Sequence, residues 1–275
     1  MTLISHEIPK GLFPVHDLIN DYPYVLAHLI GHDEEYTDYY TKKCKEATFS
    51  ILDNSAFELG KSVDFEVLIE AAELVKPTHV VVPDWVNDCD KTLEFLKAFL
   101  SFLEHRYGNL YSVPFKLITV IQGKNMGELY KCLNEITYQK KKCPAIDIVA
   151  MPFDTIPGTD YHNIRYIVFQ HMKAVIKDNY LKVHLLGLQN YSEYQLYTAE
   201  DKELIWSVDS SAPIIYGWNN VKFGFGGTDV PKFKEKLADN LNIELDENQI
   251  ESIVHNILQI RQIIKGKKQI GRAHV

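Results

Sequence analysis

Leu204-Ile205-Trp206-Ser207-Val208-Asp209-Ser210-Ser211-Ala212-Pro213 is an apolar run that ends on a carboxylate, followed by two hydroxyls and a proline. It reads as a buried strand with Asp209 at its C-terminal end. In a parallel α/β protein that end is where ligands bind. A lone Asp there could equally cap the next helix or turn, so the weight falls on whether the pattern repeats.

It does repeat. Tyr24–Leu29 reads as a first buried strand, and Ala47–Leu52 as a second that ends on Asp53. His79–Pro83 reaches Asp84, Phe115–Ile121 reaches Gln122-Gly123, Ile146–Ala150 reaches Asp154 through Met151-Pro152-Phe153, and Leu181–Leu186 reaches Gly187. Helices are expected over Phe65–Val75, Lys91–Tyr107, Met126–Lys141, Asn163–Lys177 and Tyr191–Lys202, from apolar residues at helical spacing. Short strands alternating with long helices mark βαβ units. Seven strands precede Ser210, and Val221–Phe225 could supply an eighth. Glu247–Lys265, with Ile250, Ile253, Val254, Ile257, Leu258 and Ile264 on one face, is a final amphipathic helix. The expected fold is therefore a (β/α)8 TIM barrel, one domain over residues 1–275. No Gly-x-Gly-x-x-Gly follows the first strand, which argues against a Rossmann dinucleotide site.

The chain has 275 residues, 46% of them hydrophobic, enough for one large core. No apolar run reaches the roughly 18 residues that span a bilayer. The first residues lack a signal-peptide pattern, so a cytoplasmic location without membrane association is expected. The formal net charge of −8 does not suit a protein that coats duplex DNA. Local contacts to phosphate would need patches such as Lys42, Lys43 and Lys45, Lys140–Lys142, or Lys265, Lys267, Lys268 and Arg272; each also reads as ordinary solvated surface. Cys44, Cys89, Cys132 and Cys143 are too scattered for a structural zinc site, and buried thiols are expected. No metal and no cofactor is implied.

Asp53, Asp84, Gln122, Asp154 and Asp209 would converge on one mouth of such a barrel. Carboxyls held close together repel, so one tends to keep its proton while another stays ionised. That division into acid and nucleophile suits cleavage of a glycosidic or N-glycosidic bond.

These residues also carry a resemblance. Leu52-Asp53-Asn54-Ser55-Ala56-Phe57-Glu58 resembles the Asp-Ser-Gly-Gly-Phe/Tyr-Gln segment of tRNA-guanine transglycosylases. Pro83-Asp84, Val120-Ile121-Gln122-Gly123, His184-Leu185-Leu186-Gly187-Leu188 and Ser207–Pro213 resemble further segments of that superfamily, in the same order, over residues 24 to 215. The family's zinc motif is absent, Ser55-Ala56 stands in place of Gly-Gly, and Ala150–Asp154 replaces a Gly-rich segment. In these departures the chain is more similar to the 7-deazaguanine DNA transglycosylases of phages and bacterial genomic islands. The resemblance implies exchange of guanine in DNA for a preQ0-type 7-deazaguanine base, with tRNA as the alternative polymer. A barrel that has lost the exchange activity and serves as a binding subunit is a further alternative. The implied roles are Asp209 as nucleophile, Asp53 as acid/base, Phe57 stacking on the base, and Asp84, Gln122, Gly123 and Gly187 contacting it. Phe57 could instead be a core residue, Gln122 a turn residue and Gly187 a simple strand end. His184 reads as a satisfied core histidine rather than a catalyst, and a homodimer is left open.

Overall fold

The computed structural model describes residues 1–158, 163–189, 191–224, 228, 230, 233 and 235–266. Eight strands form one parallel sheet: β1 (Leu3–Ser5), β2 (Tyr24–Leu26), β3 (Ile51–Asp53), β4 (His79–Val81), β5 (Lys116–Val120), β6 (Ile146–Pro152), β7 (Lys182–Leu186) and β8 (Ile205–Asp209). Their order is β1-β8-β7-β6-β5-β4-β3-β2, a nearly closed barrel wrapped by helices. This is the expected (β/α)8 architecture.

The eighth strand is not where the sequence suggested. Val221–Phe223 form no strand, Gly224 is an isolated bridge residue, and Phe225 lies outside the described residues. Leu3–Ser5 supplies the strand instead, pairing Leu3 with Ser207, Ile4 with Val208 and Ser5 with Asp209. The seam between β1 and β2 is held by Asp21 N–H donating to Ile4 O at 2.8 Å and by Ser5 Oγ donating to Tyr22 O at 2.7 Å.

The helices are α1 (His16–Ile19), α2 (Glu34–Glu46), α3 (Ala56–Leu59), α4 (Phe65–Val75), α5 (Cys89–Tyr107), α6 (Met126–Lys140), α7 (Ile164–Asp178), α8 (Ala199–Leu204), α9 (Ala212–Trp218) and α10 (Glu247–Lys265). Polar caps fix several starts: Asp33, Asp88 and Asn125 accept from backbone N–H groups three residues on, satisfying donors the first turn leaves open. The helix expected over Tyr191–Lys202 is broken. A 3-10 turn covers Tyr191–Leu196, and Thr198, in extended conformation, opens α8 with a capping box. The first expected strand also stops early, at Leu26, because Ala27–Leu29 curl into a 3-10 turn.

Two apolar layers stabilise the barrel. Inside the strands, Tyr22, Tyr24, Leu26, Phe49, Ile51, Val81, Ile118, Val120, Ile148 and Ala150 fill the bore, so it is a packed core and not a pore. Outside, the other strand faces pack on the helices through residues such as Leu68, Phe99, Leu133, Phe169 and Ile257. All four cysteines are buried and unpaired. No helix among the described residues is long and apolar enough to cross a membrane.

Candidate active site

A cavity of about 570 Å³ opens at the C-terminal ends of the strands. Because parallel strands all end at the same face, the residue that ends each one is delivered to this mouth. Asp53, Asp84, Gln122, Asp154, Gly187 and Asp209 all line it, as do Phe57 and several residues that the sequence did not single out.

Asp209 closes β8. Its Oδ1 accepts from the backbone N–H of Gly187 at 2.9 Å and faces Nε2 of His184 at 3.0 Å. His184 is completely buried on the neighbouring strand, and its Nδ1 lies 2.9 Å from Ser207 Oγ. It is thus a satisfied core histidine, as read, and also a direct partner of Asp209. A Ser-His-Asp line of this kind resembles a hydrolase triad only in composition. Ser207 is fully buried and does not line the cavity, so its hydroxyl cannot meet a substrate there.

Asp53 closes β3. Its Oδ1 accepts from Tyr24 Oη at 3.1 Å and its Oδ2 from Ser55 N–H at 2.8 Å. That second bond needs a sharp turn, and Ser55 adopts a left-handed conformation, φ 61°. Such a backbone costs a non-glycine residue about 1–2 kcal/mol. Burial, helped by the nearby Asp209 and Asp84 and opposed by the Ser55 and Tyr24 bonds, pushes the Asp53 carboxyl up to about 7. An acid poised there can give and take a proton near neutral pH.

Asp84 lies just beyond β4, with Oδ1 accepting from Asn54 Nδ2 and Oδ2 from Gln122 Nε2, both at 2.7 Å. Burial raises its pKa while these two amides oppose the rise. Gln122 is oriented in turn by accepting from Asn87 N–H at 3.0 Å. Phe57, on α3, is 55% exposed at the lip and meets Phe153 edge-on, with ring centroids 6.2 Å apart. It is not a core residue. Gly187 has φ +69°, and a Cβ there would stand 3.1 Å from the Phe153 ring.

Gly123 departs from expectation. It does not line the cavity, because its Cα faces α6, where a Cβ would fall 3.0 Å from Leu129 N and closer still to Glu128. Its small size serves close packing of helix on strand rather than base contact.

Glu7, Tyr24, Asn54, Glu58, Glu235 and Lys236 also line the cavity. Glu7 follows β1, the strand that the sequence reading missed. Its carboxyl is held well above the usual range by burial and by the facing Glu58, Asp209 and Asp53. Asn54 directly follows Asp53, and that place beside a strand-ending carboxyl is the signal in the sequence that points to it. Lys236 arrives from far along the chain, donating to Glu58 O at 2.6 Å. The described lining thus carries seven carboxyls (Glu7, Asp53, Glu58, Asp84, Asp154, Asp209, Glu235) and a single lysine. Even so, no cluster of three or more His, Cys, Asp or Glu among the described residues is arranged to hold a metal ion.

The lysine patches lie elsewhere. Helices run back from the mouth, so Lys43 and Lys45 at the end of α2, and Lys140 at the end of α6, sit at the opposite face. Lys43 pairs there with Asp17, Lys140 donates to Ile146 O at the start of β6, and Lys265 pairs with Asp21 beside the β1–β2 seam. Lys267, Lys268 and Arg272 lie outside the described residues.

Fold and site together define a (β/α)8 barrel with an acidic, apolar-walled cavity at its C-terminal mouth. No protein-family model and no curated protein matches the chain.

Proposed function

We propose that the protein is a base-exchange transglycosylase that replaces guanine in DNA with a 7-deazaguanine base. The observation that carries this reading is the unequal treatment of two carboxyls in one cavity. Asp209 has one oxygen held by two nitrogen partners, and Asp53 is held near neutral pH by burial. That is the division of labour a two-step displacement at a sugar carbon requires.

In the proposed sequence Asp209 attacks C1′, the C1′–N bond to guanine breaks, and its electron pair leaves with the base while Asp53 donates a proton to it. A 7-deazaguanine then gives its ring proton to Asp53 and attacks C1′, displacing Asp209 with net retention. Asp84, with both oxygens pre-oriented by Asn54 and Gln122, would accept from the base edge. Phe57 would stack on the ring at the lip. A cavity this acidic admits a flat uncharged base and repels phosphate, which supports an extruded nucleotide with its backbone kept at the rim.

The test is a covalent trap. With guanine-containing DNA and no incoming base, a protein–DNA adduct should accumulate, and Asp209→Asn should abolish it. An adduct with tRNA alone would move the substrate to the alternative polymer. If neither polymer is trapped or exchanged, the barrel is a binding subunit and the transglycosylase reading fails.

A further inference from the structure

We propose that His184 is a positioning residue that selects which oxygen of Asp209 faces the substrate. The inference deepens the transglycosylase reading and rests on it for its kinetic consequences. Asp209 Oδ1 is the acceptor for Gly187 N–H at 2.9 Å and for His184 Nε2 at 3.0 Å. Among the described residues, no hydrogen bond is made to Oδ2. One oxygen is therefore anchored by two donors and the other is left as the attacking atom.

The anchor is stiff for three reasons. His184 is 0% exposed, so its ring cannot swing into solvent. Strands β7 and β8 pair His184 directly with Ser207, which places the Ser207 hydroxyl 2.9 Å from Nδ1 and fixes the ring plane. Tyr24 stacks on the other side of the ring, centroids 6.3 Å apart and 19° from parallel. The Asp209 carboxylate settles the hydrogen assignment, because it can only accept, whereas the Ser207 hydroxyl can donate or accept. A neutral ring accepts the Ser207 proton at Nδ1 and carries its own on Nε2; a charged ring carries both. In either state Nε2–H points at Oδ1.

The same Tyr24 donates its hydroxyl to Asp53 Oδ1 at 3.1 Å. One aromatic side chain therefore braces the imidazole behind the nucleophile and bonds the proposed acid/base. The consequence of losing the Nε2 donor is a carboxylate held by the Gly187 N–H alone, which can pivot about that single bond, so that the attacking oxygen is mis-set by a fraction of an ångström to an ångström. Misplacement on that scale costs rate on the order of 10²-fold without touching substrate binding.

The test compares His184→Asn with His184→Gln in the full-length protein. An Asn amide overlays Nδ1 and reaches only Ser207, while a Gln amide extends to the place of Nε2 and can still donate to Asp209. Both are polar and close in size, and thermal melts of the two report whether either has failed to fold. Pre-steady-state adduct formation should slow about 100-fold in His184→Asn with KM for the polymer unchanged, and recover to within about tenfold of wild type in His184→Gln. Equal rates in the two folded variants would overturn the proposal, and so would a defect confined to KM. A second readout does not depend on activity. Nitrogen-15 spectra of the histidine rings should show a proton on Nε2 of His184, sheltered from exchange in the wild type and exposed in Asp209→Ala. If the wild type traps no polymer at all, the transglycosylase reading falls alone and this spectrum decides the positioning bond. A ring without a proton on Nε2 overturns it.

Discussion

Gln122 donates to Oδ2 of Asp84 across 2.7 Å, an amide holding a buried carboxylate from a strand two positions further along the chain's own path round the mouth than β3. With Asn54 on the other oxygen, Asp84 is an acceptor whose orientation is set before any ligand arrives.

Asp84→Asn turns one of those oxygens into an NH₂ group that faces amide donors. Two costs are expected. Stability should fall by about 1–3 kcal/mol, the penalty for a buried donor without an acceptor. Guanine exchange should fall further, by a factor that can reach about 10⁴, because the base edge also presents donors. Urea unfolding and exchange kinetics on the same preparation separate the two. Unchanged exchange would remove Asp84 from the site.

Asp53 should make stability depend on pH. The unfolded carboxyl loses its proton near pH 4, and the folded one near 7. Below pH 4 both states are protonated and nothing is lost. Between about 4 and 7 the folded protein holds a proton that the unfolded chain has released, so stability falls as pH rises and then levels off. A difference of about three pH units corresponds to about 4 kcal/mol. Asp53→Asn should therefore melt higher than wild type at pH 8, with the gap closing toward pH 4. Parallel melting curves across that range would show that the carboxyl titrates normally.

Glu193→Gln should be among the most damaging changes away from the cavity. Arg165, 1% exposed, makes two bonds of 2.9 Å to Glu193 and also donates to the carbonyls of Met151 and Leu186, next to Pro152 and Gly187 in the cavity wall. Removing one partner leaves the other charge buried without compensation, typically about 3–5 kcal/mol. A loss below 1 kcal/mol in denaturant titration would mean that the guanidinium finds water.

The sequence made β2 to β8 legible because each is an apolar run that stops on a polar or small residue. Leu3-Ile4-Ser5 carries no such pattern. Three residues are too few for periodicity, and what makes them a strand is the edge of β8 waiting for a partner. Glu7 was lost along with that strand. Asp53, Asp84, Gln122 and Asp209 were readable as sites of convergence because barrel topology alone brings strand ends together. Lys236 and Glu235 were not, since tertiary packing of a late segment delivers them. His184 shows the limit most clearly: its burial could be guessed, but not that its outer nitrogen meets Asp209.

Gly217→Ala should loosen the end of the chain without altering the chemistry of the mouth. A Cβ at Gly217 would lie 2.6 Å from the backbone N and Cα of Ile253, where α9 crosses α10, and backbone cannot give way as a side chain can. Overpacking of this kind costs about 1–3 kcal/mol. Hydrogen exchange should show α10 losing protection first, while adduct formation by the folded fraction stays close to wild type. Uniform loss of protection throughout the barrel would show that α10 is no separate unit of stability.

The pairing of β1 with β8 also dictates an order of events during synthesis. Val25 and Leu52, on adjacent strands, are 27 residues apart, whereas Leu3 must wait for Ser207, 204 residues later. On loop-closure entropy alone the longer connection costs about 2 kcal/mol more. A nascent chain on the ribosome can zip β2 through β7 as they emerge, but it carries a bare edge at each end of that sheet until β8 appears and β1 returns to it. The vulnerable species for aggregation, and the natural client for a chaperone, is therefore the open six-stranded sheet.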